Sequence, residues 1–346
     1  MRIRYLARLV CCVALTASCG GQVGADGNGV AGTATGATAS TLGGASGHLT
    51  ATGGTTTNTG GTTSTGATTA TGGTSGAGCT GSLESVQNVR GHSLCVARLV
   101  TVIAPSGSSD YHIDATEVTR GQYEGWLATD PELPAAGDAA CGWKSSGSYV
   151  QASSCMTSSD VCQGTGCDHY PVVCVDWCDA YYYCAAVGKR LCGRIGGGSN
   201  AYSSYTDAGA SQWYRACSSG GANTYPYGNT YQSSYCNGSS DAVVAVGTMT
   251  QCQSTISGYT GVYDLSGNVW EWEDSCDDTT GQSDQCRLRG GGKCAEREGY
   301  ADCCVASSGY SGCTSLSMEC IHNASGTRSI PSYDLGESVG FRCCSP

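Results

Sequence analysis

Apolar and polar positions along this chain fall into short, often interrupted runs, preceded by one long stretch with almost no apolar pattern. Leu99 to Ile103 and Tyr111 to Val118 are dominated by apolar, β-branched and alternating positions, which predicts two strands. At Thr119 the period changes. Thr119-Arg120-Gly121-Gln122 has the spacing of a capping box, and Tyr123, Trp126 and Leu127 then share one helical face until Asp130-Pro131 stops the helix. Pro171 to Val175 is a continuous apolar run that predicts a strand. Asp176 then caps a second helix through Trp177, Ala180, Tyr181 and Cys184 to Val187, with Gly188 closing it and Lys189-Arg190 at the negative end of its dipole. Ser211 to Cys217 predicts a third, short helix, and Tyr225-Pro226-Tyr227-Gly228 a turn. Few helices, short strands and long loops without β/α alternation predict an irregular α+β fold.

One stretch is chemically denser than the rest. Gly261 to Trp272 holds two glycines, two carboxylates, an amide and two tryptophans. Asp264 can accept backbone N–H bonds, Ser266-Gly267 permits a tight turn with positive φ, and Val269-Trp270-Glu271-Trp272 then reads as extended. Period-2 alternation puts Val269 and Glu271 on one face, Trp270 and Trp272 on the other. Two readings follow: an Asp-capped turn leading into a strand anchored by tryptophans, or a hard-cation site with Asp264 and Glu271 as charged oxygen ligands and loop carbonyls completing the shell.

Composition places the chain. Its 25 cysteines in 346 residues point to an oxidising compartment. Arg2, Arg4 and Arg8, the apolar run Leu9 to Leu15 and the small residues Thr16-Ala17-Ser18 before Cys19 predict a signal peptide over 1–18. Cleavage before Cys19 would leave a lipid on that thiol, as in a bacterial lipoprotein; a plain secretory signal is the alternative. The expected location is the outer membrane or cell surface, or the medium. Residues 19–80 are nearly all Gly, Thr, Ala and Ser, too apolar-poor to offset the entropy of ordering, and predict a disordered tether. As a Gly-rich coil it would reach roughly 40 to 45 Å. The folded domain is expected over 81–346, and its only membrane contact is the N-terminal lipid anchor. A net charge of −11 with no basic cluster argues against nucleic acid. With Cys11 and Cys12 in the leader and Cys19 at the anchor, 22 cysteines remain, an even number that could form eleven disulfides.

The run Asp264-Leu-Ser-Gly-Asn-Val-Trp-Glu-Trp272, followed by Arg289-Gly-Gly and Gly340-Phe-Arg342, resembles the core signature of the formylglycine-generating enzyme (sulfatase-modifying factor) family. Glu117-Val-Thr119 through Tyr123, Pro171 through Trp177 to Cys184, Gly188-Lys-Arg-Leu191, Gln212-Trp213 and Tyr225-Pro-Tyr-Gly228 are similar to further family blocks in family order. The resemblance implies a C-type-lectin-like α+β domain with little regular secondary structure. It also implies structural calcium at the dense loop, held by the side chains of Asp264 and Glu271 and the carbonyls of Gly267 and Val269, with a second calcium near Asn237 and Gly238.

The resembled enzymes use oxygen and copper(I), held by two thiolates five residues apart, to oxidise a cysteine of a sulfatase to formylglycine; soft thiolates suit that ion. Here Cys294 is displaced by about one residue from the first thiolate position, and Gly299 stands five residues later; Cys303 and Cys304 follow. Cys294, Cys303 and Cys304 are therefore the catalytic candidates, with disulfide roles as the competing assignment. Arg289 and Arg342 are expected to pair with buried carboxylates or to cap loops, with substrate binding as the competing role. Two functions follow: a tethered oxidase acting on an exported protein, or an inactive, calcium-stabilised lectin-like module that binds a protein or glycan at the cell surface. Loops rich in Tyr, Ser, Gly and Asn suit the second.

Overall fold

In the computed structural model the described residues are 79, 81–153, 155–156, 161–238, 242–292, 318–321, 323–329 and 339–346. All belong to the compact unit Thr69–Pro346. The leader, Cys19 and most of the tether lie outside them. The chain opens on a hairpin, β1 (Glu84–Val89) and β2 (His92–Ala97), turned at Arg90 and Gly91, both with positive φ. A disulfide from Cys79 to Cys95 ties the incoming chain to β2, so the covalent edge of the domain lies just before the boundary that composition sets.

Two four-stranded sheets carry the rest. The first has the order β3 (Leu99–Val102), β4 (Tyr111–Asp114), β10 (Cys343–Ser345), β5 (Arg190–Leu191); the second has β8 (Asn323–Thr327), β7 (Gln285–Arg289), β6 (Trp270–Cys276), β9 (Val339–Phe341). Neighbours are antiparallel except β6 and β9, where Glu271 lies opposite Gly340 in a parallel pair. The C-terminal segment thus belongs to both sheets, β9 in one and β10 in the other, and Arg342 sits at the crossing.

The predicted capping box and the predicted Asp176 cap both form, and the second turns out to be a reciprocal box as well. Thr119 and Gln122 exchange side-chain and backbone bonds at the start of α1 (Arg120–Leu127), and Asp176 and Asp179 do the same at α2 (Trp177–Ala186). α3 (Gln212–Cys217) is capped by the Ser211 hydroxyl. Tyr123 and Trp126 bury the inner face of α1 against Tyr183 of α2 and Phe341 of β9.

The predicted strand over Pro171–Val175 does not form. Pro171 makes one isolated bridge to Thr119, and Cys174 turns into the left-handed region at φ 66°, where it is bonded to Cys155. The run is apolar because it is buried on all sides. The strand expected to Val118 ends at Asp114, whose carboxylate leaves the ladder to accept the Cys343 N–H at 2.8 Å and the Lys189 ammonium at 2.5 Å. Lys189 therefore anchors Asp114 instead of the end of α2.

The eighteen described cysteines form nine disulfides. Cys162 and Cys167 bond to each other. Cys343 and Cys344 fasten the C-terminus to Cys184 of α2 and to Cys192 after β5. For a chain with so little regular structure, such closures restrict the unfolded state. No helix among the described residues is long and apolar enough to cross a membrane.

Candidate functional site

The dense loop enters β6 through two non-glycine residues in the left-handed region, Asp264 at φ 59° and Asn268 at 61°, with Gly267 at 76° between them. Asp264 does not close a local turn; its Oδ2 accepts the N–H of Gly247 at 2.6 Å. A Cβ on Gly267 would lie 2.4 Å from the Asn237 carbonyl oxygen, so only glycine fits there. Asn268 is spent completely. Its backbone N–H donates to the Asn237 carbonyl, its Oδ1 accepts from Asn237 Nδ2 and Val244 N–H, and its Nδ2 donates to Glu117 Oε1 at 3.0 Å and to the Val244 carbonyl. Asn237 is thereby part of the same knot, and Gly238 N–H turns back on the Cys236 carbonyl. Among the described residues no group of three or more His, Cys, Asp or Glu side chains is placed to hold a metal ion.

Along β6 the alternation holds. Glu271 and Glu273 face one way, Trp270 and Trp272 the other, and all four are buried. Arg342 Nε donates to Glu271 Oε2 and Arg342 Nη2 to Glu271 Oε1, both at 2.6 Å; the Trp213 indole N–H adds a third bond to Oε2 at 2.9 Å. Arg289 Nη1 meets Glu273 Oε2 at 3.1 Å, while Ser211 Oγ and Asn200 Nδ2 donate to Oε1. Trp213 joins the two pairs, since the Arg289 guanidinium also lies 4.7 Å from its ring centre. Of the roles expected for Arg289 and Arg342, both structural ones occur: each pairs with a buried carboxylate and each also binds backbone carbonyls. Burial works against the charge of Arg342, but Glu271, Glu117 and Asp264 outweigh it and raise its pKa. Burial pushes Glu273 upward against the pull of Arg289 and its two hydroxyl and amide donors.

These contacts decide which residues can hold a cation. Glu271 has both oxygens engaged by a guanidinium, so it is poorly placed as a calcium ligand. Asp264 fits better, because its Oδ1 is buried without any donor. Beside it stands Glu117, which sequence reasoning read only as a helix entry; its Oε2 is equally bare. Burial, and then the neighbouring Asp264 charge, push Glu117 well above the ordinary carboxylate range, and burial pushes Asp264 to about 6. An unpaired buried acceptor costs roughly 1–3 kcal/mol, more when charged. No sequence signal joins Glu117 to a loop whose Asn268 lies 151 positions away.

Cys294, Cys303 and Cys304 lie outside the described residues. No thiol remains among the described cysteines to hold copper(I), since all are disulfide-bonded.

A different surface gathers aromatic rings. The Tyr225–Gly228 turn stacks Tyr225 on Tyr227, 7° from parallel with centroids 5.5 Å apart, and Tyr235 meets Tyr227 edge-on at 5.0 Å. Tyr227 and Tyr235 are half-buried, and Asn229, Gln232, Ser233 and Ser234 around them are exposed.

The chain is similar to the solved structure of PvdO from Pseudomonas aeruginosa, at 16% identity over 73% of this chain and 94% of that one, with a TM-score of 0.40. It is similar to CarF, at 18% identity over 69% and 87% with a TM-score of 0.41, and to Treponema denticola variable protein 1, at 15% over 77% and 99%, also 0.41. No curated protein matches. The segments that meet around Glu271 and Glu273 are those of the family signature, and the family model of the sulfatase-modifying factor enzyme 1-like domain matches residues 102–345: the chain belongs to this formylglycine-generating enzyme family.

Proposed function

We propose that this chain is an exported member of the family that works as a recognition module and not as a cysteine oxidase. The supporting observation is the use of sulfur. Every described cysteine is a disulfide partner, and the residue five after Cys294 is Gly299, so the family's thiolate spacing is not kept. The charged residues of the signature are spent inside the scaffold, Glu271 on Arg342 and Glu273 on Arg289. In this reading the lipid on Cys19 and the Gly/Thr/Ala/Ser tether hold the domain off the cell surface, calcium braces it, and the tyrosine turn contacts a protein or glycan. Half-buried tyrosines offer rigid contact area with polar tips, and the exposed amides and hydroxyls beside them supply adaptable bonds.

One observation favours the oxidase as a second reading. The four cysteines of the folded region outside the described residues, Cys294, Cys303, Cys304 and Cys313, crowd together shortly after Arg289-Gly-Gly. The two readings separate in one assay. The protein, treated with copper(I) and oxygen, is mixed with a sulfatase-type cysteine peptide, and aldehyde is captured with an aminooxy probe. The recognition reading expects no aldehyde. Aldehyde that disappears in Cys294→Ser sinks it.

A further inference from the structure

Lys144 is buried, at 6% exposure, and its ammonium meets two carboxylates, Asp176 and Asp179. It stands in a short 3₁₀ turn, Gly142–Ser146, and both acids stand at the start of α2, where Asp176 caps the helix and Asp179 closes the reciprocal box. The Cys141–Cys178 disulfide joins the same two segments, so the three side chains are held against one another by a covalent bond close by.

Each oxygen of the two acids has its own task. Asp176 Oδ1 accepts the Asp179 N–H at 2.9 Å, at the positive end of the helix dipole, and Asp176 Oδ2 accepts from Lys144 Nζ. Asp179 Oδ2 accepts the Asp176 N–H at 2.9 Å, while Asp179 Oδ1 lies 2.6 Å from Nζ and has no other donor. The rings of Trp143 and Tyr149 flank Nζ at 5.5 and 5.8 Å. An amine touching a carboxyl group in a dry pocket, with a second carboxyl beside the amine, is what amide condensation needs: a nucleophile, an electrophile and a proton carrier. Burial works against the Lys144 charge, but Asp179 and Asp176 outweigh it and raise its pKa, so the amine is freed only by handing a proton to a carboxylate. Asp179 is suited to take it, because burial and then the Asp176 charge push its carboxyl well above the ordinary range. A buried ion pair also carries a desolvation cost that a neutral amide does not.

We propose that Lys144 and Asp176 condense to an intramolecular isopeptide bond, with Asp179 as the proton carrier. Nζ attacks Cγ of Asp176; the Nζ–Cγ bond forms and the Cγ–Oδ2 bond breaks, its electron pair leaving with the oxygen. The ammonium gives up two protons by way of Asp179, and Oδ2 departs with them as water; the third proton stays on the amide nitrogen. Asp176 Oδ1 becomes the amide carbonyl oxygen and keeps the Asp179 N–H, which steadies the negative charge that builds there during attack. The step is a dehydration without change of oxidation state and needs no co-reactant. The inference does not depend on whether the module binds a partner or oxidises one.

The test uses the full chain, folded under oxidising conditions, then reduced, alkylated, digested and read by tandem mass spectrometry, so that an amide link survives where disulfides do not. The expected product is a branched peptide joining Lys144 to Asp176, lighter by one water than the two linear peptides together. Lys144→Arg is expected to give the linear peptides alone. Asp179→Asn, whose amide oxygen can still accept the Asp176 N–H, is expected to melt cooperatively and yet to lose the branched peptide by about tenfold or more; an acid with a merely structural role would leave the yield unchanged. Should that variant fail to fold, the peptides of the unaltered protein still decide. The proposal is overturned if the folded, unaltered protein yields the two linear peptides and no branched one, which would mean that Lys144 forms ion pairs alone. It is equally overturned if the link falls on Asp179, or if folded Asp179→Asn keeps the full yield.

Discussion

Arg342 grips Glu271 with two N–H···O bonds of 2.6 Å in a place where both side chains are shielded from water, at 0% and 1% exposure. The pair fastens the start of β6 to the turn from β9 into β10, and so joins the two sheets. Removing one partner strands the other charge in the interior. Arg342→Met is expected to cost about 3–5 kcal/mol of unfolding free energy, measured by chemical denaturation with the disulfides intact. A loss below about 1 kcal/mol would mean that the pair does not brace the sheets.

Gly267 carries the sharpest backbone requirement of the loop. Gly267→Ala must hold a side chain at φ 76° and place Cβ against the Asn237 carbonyl. The backbone strain alone is about 1–3 kcal/mol, so the variant is expected to lose at least that in a denaturant midpoint experiment. The same substitution at the exposed Gly137, with no atom within 4 Å of the added Cβ and no positive φ, serves as the control and is expected to be near neutral.

Asp284 gives the fold an acid-sensitive joint. Burial by itself raises this carboxyl, but the Gly281 N–H, the Thr280 hydroxyl and Arg328 outweigh it and hold its pKa below the ordinary 3.8. A depressed folded-state pKa contributes stability that is full above the unfolded value and is lost as pH falls through the folded one. Stability should therefore decline below about pH 4, and Asp284→Asn should be less stable at neutral pH with a shallower acid limb. Parallel limbs in a pH series of denaturation curves would remove Asp284 from this role.

The tyrosine turn is expected to carry the contact with a partner. Tyr227→Ala should lower binding to a hit on a glycan or exported-protein array by about tenfold, the effect of losing one aromatic anchor. Tyr181→Ala, which removes an exposed ring stacked on Trp177 elsewhere on the domain, should leave it unchanged. Equal effects of the two variants would argue against the turn.

Local rules were legible where local physics decides the outcome. The Thr119–Gln122 box, the Asp176 cap, the Tyr225–Gly228 turn and the facing of Glu271 away from Trp270 all follow from spacing alone, whereas the return bond from Asp179 came only with the structure. The pairing of Arg289 and Arg342 with carboxylates followed from the rule that buried charges need partners, though not which carboxylate each would take. Pro171–Val175 misled because a run buried on every side has the hydrophobicity of a strand, while the turn at Cys174 is imposed by its contacts and its bond to Cys155. Lys189 and Glu117 were out of reach for a related reason. Their partners, Asp114 and the Asp264 loop, are distant in the chain, and only the closed fold brings them together.

The most direct test of the recognition reading is a count of thiols. The native protein is alkylated without reduction, digested and weighed by mass spectrometry, with a denatured sample as control for buried groups. The account predicts that no peptide spanning Cys294 to Cys313 carries an alkyl group. Two alkylated cysteines among Cys294, Cys303 and Cys304, protected by added copper(I), would contradict it and restore the oxidase.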